Sequence, residues 1–200
     1  MKKIAIILII FISSCKAQTE IIDILDRGKK LLGPDKYYQD TNDLLNSYEG
    51  VWIFSEGNQY LKFILEKKTS HYNGVYYEDV IIGGYEYKVN GVTLINTLLD
   101  INSNYTYSIQ YSLSADGFIS SDFFPLCPEC DANEKRLMMS FSEPSSDLGG
   151  IIYARRMNIG GQEVLKIKLQ GALNRFEFPG SPPTPDDFVL PSGTYTLIKQ

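Results

Sequence analysis

The residue pattern with the clearest chemical potential is Cys127-Pro128-Glu129-Cys130, in which two residues separate two thiols. That spacing allows both sulfurs to bind one metal ion or to join in a small disulfide ring. A structural zinc site needs about four ligands, and the chain adds only Cys15 and a single histidine, His71. A thioredoxin-like redox role requires the motif at a helix N-terminus in an α/β fold, whereas the surrounding sequence is of β type. We therefore expect a local disulfide between Cys127 and Cys130, or a reduced pair without a role, and no metal site.

The carboxylates form no clear catalytic pattern. Glu78 and Asp79 are adjacent in a predicted strand, so their side chains should point to opposite faces unless a bulge intervenes. His71 lies in a predicted turn, and the pair Asp186-Asp187 is more typical of a solvated loop than of a calcium site. We expect no catalytic residue and no cofactor. An alternative is a hydrolase of an envelope polymer, with Glu78 or Asp79 as its acid–base group.

The N-terminus has the pattern of an export signal. Met1-Lys2-Lys3 precedes an apolar run at residues 4–12, which at nine residues is shorter than the ~20 that a membrane-spanning helix needs. Ile12-Ser13-Ser14-Cys15 resembles the bacterial lipobox, which implies a signal peptide at residues 1–14 and acyl chains on Cys15. Such an anchor would hold an outer-membrane lipoprotein in the cell envelope without a spanning helix. The alternative is cleavage after Ala17, which would give a secreted protein.

Composition narrows the classes of partner. The formal net charge is −5, which argues against nucleic acid. The 14 tyrosines and 10 phenylalanines suit half-buried sheets, and such side chains also line pockets for apolar ligands. The expected partners are therefore the membrane, through Cys15, and either a small hydrophobic ligand or an envelope protein.

Apolar spacing divides the chain into two parts. Residues 19–32 have roughly helical spacing and predict a short amphipathic helix. The polar residues up to 47 predict a tether or a loop with a helical turn. From Tyr48 to the C-terminus, short β-type runs alternate with turn dipeptides and predict one β domain over residues 48–200. The turn dipeptides include Gly83-Gly84, Asn90-Gly91, Asp116-Gly117 and Gly160-Gly161, and the predicted strands include residues 75–82, 85–89, 105–113 and 118–123.

The predicted fold is all-β, an antiparallel up-and-down barrel with a short N-terminal helix, and a β-sandwich is the alternative. The strict alternation in residues 164–170, where Leu165, Ile167 and Leu169 share one face, indicates one buried and one wet face. Closing such a sheet into a barrel also removes its edges. Arg155, in a predicted strand at residues 150–157, could meet an anionic ligand inside the barrel, although an outward position suits an arginine better.

Several motifs resemble an uncharacterised family of small Bacteroidota lipoproteins. They are Tyr48-Glu49-Gly50-Val51-Trp52, Tyr85-Glu86-Tyr87 and the final Leu197-Ile198-Lys199. The resemblance implies an exported, tyrosine-rich β domain and no known activity.

A second resemblance, of Gly50-Val51-Trp52 to the first strand of lipocalins, implies a barrel whose base is closed by the tryptophan against a basic side chain near the last strand. Lys199 would supply that cation, with a cation–π contact of ~0.5–1 kcal/mol if exposed. We expect a non-enzymatic, membrane-anchored barrel that binds a small ligand in its interior or an envelope component on its surface. A secreted structural or interaction protein is a further alternative.

Overall fold

The computed structural model of the protein describes residues 19–144, 148–171 and 187–200. The predicted signal peptide and Cys15 lie outside these residues. The strands are β1 Glu20–Asp23, β2 Lys36–Gln39, β3 Gly50–Glu56, β4 Gln59–Tyr72, β5 Tyr77–Val89, β6 Val92–Asn96, β7 Leu113–Ser120, β8 Lys135–Glu143, β9 Leu148–Ile159, β10 Gln162–Gln170 and β11 Gly193–Lys199. Short 3₁₀ helices span Ile24–Lys29, Leu45–Tyr48, Leu98–Asn102 and Ser108–Gln110. Within the described ranges, none of the helices is long and apolar enough to cross a bilayer.

Eight strands close into an antiparallel barrel. They follow the order β3, β4, β5, β7, β8, β9, β10 and β11, and β11 pairs with β3 again, where Lys199 lies opposite Trp52. The barrel also closes between β5 and β7, where Ile81 lies opposite Ala115. Strand β6 lies outside the barrel and pairs only with β5, as a hairpin. The eight barrel strands themselves follow chain order around the barrel. The predicted all-β, lipocalin-like up-and-down barrel is confirmed over the β-sandwich alternative.

Side-chain alternation fills the barrel interior. On β10, Leu165, Ile167 and Leu169 are at most 2% exposed, whereas Lys168 between them is exposed. Eight strands leave an interior just wide enough to be filled by side chains. Large rings occupy it: the centroids of Tyr85 and Phe141 lie 5.1 Å apart. The interior is thus a packed hydrophobic core in the described residues.

Two segments cover the ends of the barrel. At the end where β3 begins, Ile24 and Leu45 from the preceding residues join the core and are 2% and 0% exposed. At the opposite end Phe188 packs edge-on against Phe141, with 5.0 Å between the ring centroids. We call residues 20–48 the arm and the end that they cover the arm end.

The N-terminal helix is shorter than predicted: only Ile24–Lys29 is helical within residues 19–32, and Glu20–Asp23 forms a strand. The segment before Tyr48 contains a helical turn at Leu45–Tyr48 and also a strand, Lys36–Gln39, that was not predicted. The arm contains β1, the helix Ile24–Lys29 and β2, and β1 pairs with β2 in parallel, Glu20 opposite Lys36. Strand β2 then continues the sheet beside β5. Period-two spacing buries Ile22 and Ile24, and Gly28 weakens any helix through this segment. The short helix is capped by Asp23, whose Oδ1 accepts from the Leu25 N–H at 2.7 Å.

Two predicted turns also lie inside strands. Gly83-Gly84 falls in the middle of β5, and Asp116-Gly117 falls in β7, at an irregularity in its pairing with β8. A Cβ on Gly84 would lie 2.3 Å from the Thr97 carbonyl oxygen, so this glycine serves close backbone approach and not a turn. By contrast, Asn90 and Gly91 both have positive φ and connect β5 to β6 as predicted. The predicted strand at residues 105–113 is largely loop and 3₁₀ helix.

Candidate functional site

Trp52 lies in the core near the arm end. Its side chain is 0% exposed, and its Nε1–H donates to the Tyr48 carbonyl at 2.8 Å. Lys199 Nζ lies 5.3 Å from the Trp52 ring centre and forms a 2.9 Å ion pair with Glu163. This is a cation–π contact between the first and last strands of the barrel, and it has no open space in which a ligand could sit on the ring.

Glu78 lies beside the arm at the place where β5 and β7 separate. Arg27 from the arm contacts both Glu78, at 3.1 Å from Nη1 to Oε2, and the Asp116 carboxylate. Arg27 Nη2 also donates to the Tyr76 hydroxyl at 2.5 Å, and Ser108 donates to Glu78 Oε1 at 3.2 Å. Burial, followed by the charge of Asp116, raises the pKa of Glu78 to about 7 against the opposing effect of Arg27.

Asp79 belongs to a separate network that fastens the arm. Its carboxylate accepts from the Tyr37 hydroxyl at 2.6 Å and from the backbone N–H groups of Asp40 and Ser70 at 2.9 and 3.0 Å. Glu78 shares none of these partners, so the two carboxylates do not form an acid–base pair. The geometry gives Asp79 the role of a structural acceptor that satisfies buried donors.

His71 and Asp187 each make a single side-chain hydrogen bond to a backbone group within the described residues. His71 lies in β4 and not in a turn, and its Nε2 is 3.1 Å from the Thr106 carbonyl oxygen. Asp187 accepts from the Phe188 N–H at 2.8 Å, while Asp186 lies outside the described residues. Among the described residues, no group of three or more His, Cys, Asp or Glu side chains is arranged to hold a metal ion.

The cysteine motif lies in residues 121–134, the connection from β7 to β8, which we call the disulfide loop. Cys127 and Cys130 are joined in a disulfide. Arg136 of β8 holds this loop: its Nη2 donates to the carbonyl oxygens of Ser120, Phe123 and Pro125 at 3.2, 3.0 and 2.7 Å. The loop is therefore fastened to the outer wall of the barrel by a buried guanidinium.

Two ion pairs fasten the same loop. Arg155 makes two hydrogen bonds of 2.6 and 2.8 Å with Glu134, and these hold the pKa of Glu134 below its usual value. Lys166 Nζ lies 3.1 Å from Glu129. Arg155 thus points outward and not into the barrel. Between loop and wall lies a pocket of about 270 Å³, which we call the loop pocket, lined by Leu126, Cys127, Arg136, Arg155, Lys166 and Lys168 among others.

The widest of the surface depressions described here is an apolar groove of about 850 Å³ between the arm and β7. Its apolar lining includes Leu25, Leu31, Leu32, Phe118, Phe123 and Met138, and Lys29, Lys30 and Lys135 lie at its margin. Leu31 is 86% exposed and Phe123 61%. Sequence reasoning missed this groove because it assigned Leu31 and Leu32 to an amphipathic helix. It missed Arg136 because nothing in the local sequence marks a buried arginine.

Comparison with known proteins identifies a family but transfers no activity. No curated protein matches the chain, and no solved structure matches it. Any catalytic, ligand or partner assignment must therefore come from the residues described above. The chain belongs to a family of unknown function (DUF6705), whose model matches residues 1–200.

Proposed function

We propose that the protein is an extracytoplasmic lipoprotein, anchored through acyl chains on Cys15, that rests its barrel on the anchoring bilayer through the apolar groove. The main support is the placement of the groove beside the point where the described chain begins. Glu20 forms a 3.0 Å ion pair with Lys30, a residue of the groove margin. Five residue steps separate Cys15 from Glu20, and five extended residues span at most about 17 Å. An anchor at Cys15 would therefore hold the arm end within one short tether of the lipid.

The chemistry of the groove suits a bilayer surface. Exposed Leu31, Leu32 and Phe123 provide apolar side chains of the kind that enter the boundary between headgroups and acyl chains. Lys135 also lines the groove and makes no ion pair with the described residues, and such a cation favours contact with lipid phosphates. Lys29 and Lys30 line it too, each paired with a carboxylate of the arm, Asp26 and Glu20. A contiguous exposed apolar surface on a soluble domain marks an interaction site. Here the lipid is the occupant that the anchor brings within reach.

The filled interior supports surface binding over binding within the barrel. Trp52, Phe63, Tyr85 and Phe141 occupy the space where lipocalin-type barrels hold a small ligand, and each is at most 2% exposed. We therefore propose no ligand in the barrel interior. The lipobox-like start and the likeness to small Bacteroidota lipoproteins support the envelope location.

The anchor is tested by mass spectrometry of the protein purified from its own envelope. We expect a mature chain that begins at Cys15 and carries a diacylglyceryl group and an amide-linked acyl chain. A Cys15→Ser variant should lose palmitate labelling and leave the membrane fraction. An unlipidated chain beginning at Gln18 would overturn the anchor and favour a secreted interaction protein.

The orientation on the bilayer is tested with the acylated protein in vesicles that contain brominated lipid, a short-range fluorescence quencher. Leu31→Trp places a reporter at the groove, and Leu99→Trp places one at a site with matching exposure, 81% against 86%, outside the groove lining. Trp52 is buried and gives the same background in both. We expect strong quenching at position 31 and little at position 99. Equal quenching would show that the groove does not face the lipid and would favour an envelope protein as its occupant.

A further inference from the structure

We infer that the loop pocket, between the disulfide loop and strands β8 to β10, is a binding site for a phosphate-type oxyanion. The pocket measures about 270 Å³, several times the ~30 Å³ of one water molecule in the liquid. The inference concerns the outer wall of the barrel and does not depend on how the protein is anchored.

The first observation is the state of Arg136. Its side chain is about 5% exposed, and only Nη2 makes hydrogen bonds within the described residues. Nε is buried without a hydrogen-bond partner there. All three bonded acceptors are neutral carbonyl oxygens, and no carboxylate of the described chain lies within 4.0 Å of the guanidinium. The nearest compensating charge, Glu134, acts on Arg136 without direct contact. A buried guanidinium with unused donors and no direct ion pair favours an anion beside it.

The second observation is the imbalance of charge around the pocket. Arg136, Arg155, Lys166 and Lys168 line it together with one carboxylate, Glu129. Arg155 and Lys166 are neutralised by the ion pairs that fasten the loop, with Glu134 and Glu129. Lys168, exposed on β10, has no carboxylate partner in the part of the chain that is described. Arg136 and Lys168 are therefore the two cations of the pocket that make no direct ion pair with the described residues.

The geometry of these donors favours an oxyanion. A guanidinium presents donors in a fixed fork that matches tetrahedral and planar oxyanions, and an ammonium adds a mobile point charge. The aromatic ring of Tyr153 lies under Arg136, with 5.8 Å from Cζ to the ring centre, and keeps the guanidinium plane in place. Cys127 lines the pocket, and its disulfide with Cys130 limits the conformations of the loop.

The site is tested by isothermal calorimetry at constant ionic strength on the mature protein purified from its own envelope, whether or not it carries acyl chains. Inorganic phosphate is the probe, against chloride as background. Lys168→Gln removes the exposed pocket cation. Lys62→Gln removes a half-buried lysine of β4 that, like Lys168, makes no ion pair with the described residues but does not line the pocket. We expect Lys168→Gln to weaken phosphate binding at least about tenfold and Lys62→Gln to leave it within about twofold.

Arg136→Lys serves as a second variant, because it keeps the charge and removes the fork. If circular dichroism shows that Arg136→Lys folds, this variant should also bind phosphate more weakly. If it does not fold, the comparison of Lys168→Gln with Lys62→Gln decides the question. Absence of phosphate binding by the unsubstituted protein would overturn the inference, as would equal effects of Lys168→Gln and Lys62→Gln. Short-chain phosphatidylglycerol below its micelle concentration identifies the source of the phosphate. Tighter binding of that lipid supports a headgroup site, and tighter binding of inorganic phosphate supports a site for a free anion.

Discussion

Trp52 and Lys199 show how single residues join the two ends of the barrel sheet. They lie opposite each other in the β11–β3 register, so the lysine can reach the ring across one strand pair. Burial of the Trp52 ring stabilises the folded protein much more than the contacts of the Lys199 ammonium do. A fully buried ring fills volume that no neighbour can replace, whereas the cation–π contact and the ion pair with Glu163 are partly exposed to water.

Substitution of each partner should therefore have unequal effects on stability. Trp52→Ala should lower the free energy of unfolding by about 3–5 kcal/mol through the cavity it leaves. Lys199→Met, which keeps the aliphatic stem, should lower it by only about 1 kcal/mol. Urea denaturation followed by circular dichroism measures both. A larger effect for Lys199→Met than for Trp52→Ala would contradict this account of the barrel end.

Glu78 gives the protein a predicted dependence on pH. Its pKa is about 7 in the folded protein, against 4.5 for an unperturbed glutamate. Between these values the folded state binds more protons than the unfolded state, so the free energy of unfolding falls as pH rises from about 4.5 to 7. Above pH 7 both states are ionised, and this contribution no longer changes. The decrease attributable to Glu78 is at most on the order of 3 kcal/mol.

The measurement is urea denaturation at pH 5 and pH 8 of the unsubstituted protein and of Glu78→Gln. We expect a smaller loss of stability in the variant, because the amide cannot ionise. Arg27, Asp116 and Tyr76 face Glu78. His71 lies opposite it on β4, so both proteins are compared in a His71→Gln background. Glu66→Gln, whose carboxylate is 47% exposed, is the control. Identical pH dependence with and without Glu78 would refute the prediction.

At the scale of elements, close backbone packing explains why strand β5 contains two consecutive glycines. This strand carries Gly83 and Gly84 because backbone atoms of other segments lie very close at both positions: the paired strand β4 at Gly83, and the Thr97 segment at Gly84. A Cβ at Gly83 would lie 2.5 Å from the Ile64 carbonyl oxygen, and one at Gly84 would lie 2.3 Å from that of Thr97. Both obstacles are backbone atoms, which cannot rotate away as a side chain can. The two glycines therefore let the Leu98–Asn102 helix and the paired strand β4 lie directly against the backbone of β5.

We expect Gly84→Ala to lower the free energy of unfolding by about 1–3 kcal/mol, because the methyl group must displace the Thr97 backbone. Gly28→Ala is the matched control: a Cβ there meets nothing within 4 Å, so stability should be unchanged or slightly higher. Thermal unfolding of the two variants provides the comparison. Similar melting temperatures for both would mean that the Thr97 segment is not held against β5.

The elements predicted well are those whose signal is local. The alternation in β10 predicts its buried face because hairpin neighbours leave one side of the strand to the core. Asn90-Gly91 predicts a turn because both residues need positive φ. Gly83-Gly84 was misassigned because a turn and a close backbone approach both favour glycine. Tertiary contacts alone distinguish the two, and the local sequence contains no record of them.

The arm and the site were less predictable for the same reason. Parallel pairing of β1 with β2, and of β2 with β5, joins residues far apart in the chain. Apolar residues 21–32 fit helical spacing, yet Ile24 enters the barrel core while Leu31 remains exposed. The cysteine spacing indicated a disulfide, but the role of Arg136 in holding that loop depends on three carbonyl oxygens that no motif encodes.

At the scale of the whole molecule, stability depends on closure of the barrel. Strand β11 pairs with both β10 and β3, and its Tyr195 and Leu197 are buried in the common core. Without it, β10 and β3 would become open edges beside an uncovered hydrophobic interior. Because the interior is one continuous cluster, no part of the remaining sheet would keep a complete core of its own.

Deletion of residues 193–200 should therefore abolish cooperative unfolding of the entire barrel and not only loosen one strand. We expect a broad, non-cooperative thermal transition, binding of the apolar dye 1-anilinonaphthalene-8-sulfonate, and self-association through the open edges. Deletion of Gln200 alone is the control. It removes one 3.0 Å backbone hydrogen bond to Val51 and no core side chain, so the sharp transition should persist. A cooperative, monomeric protein after the longer deletion would show that the remaining strands form an independent folding unit, contrary to the single closed core described here.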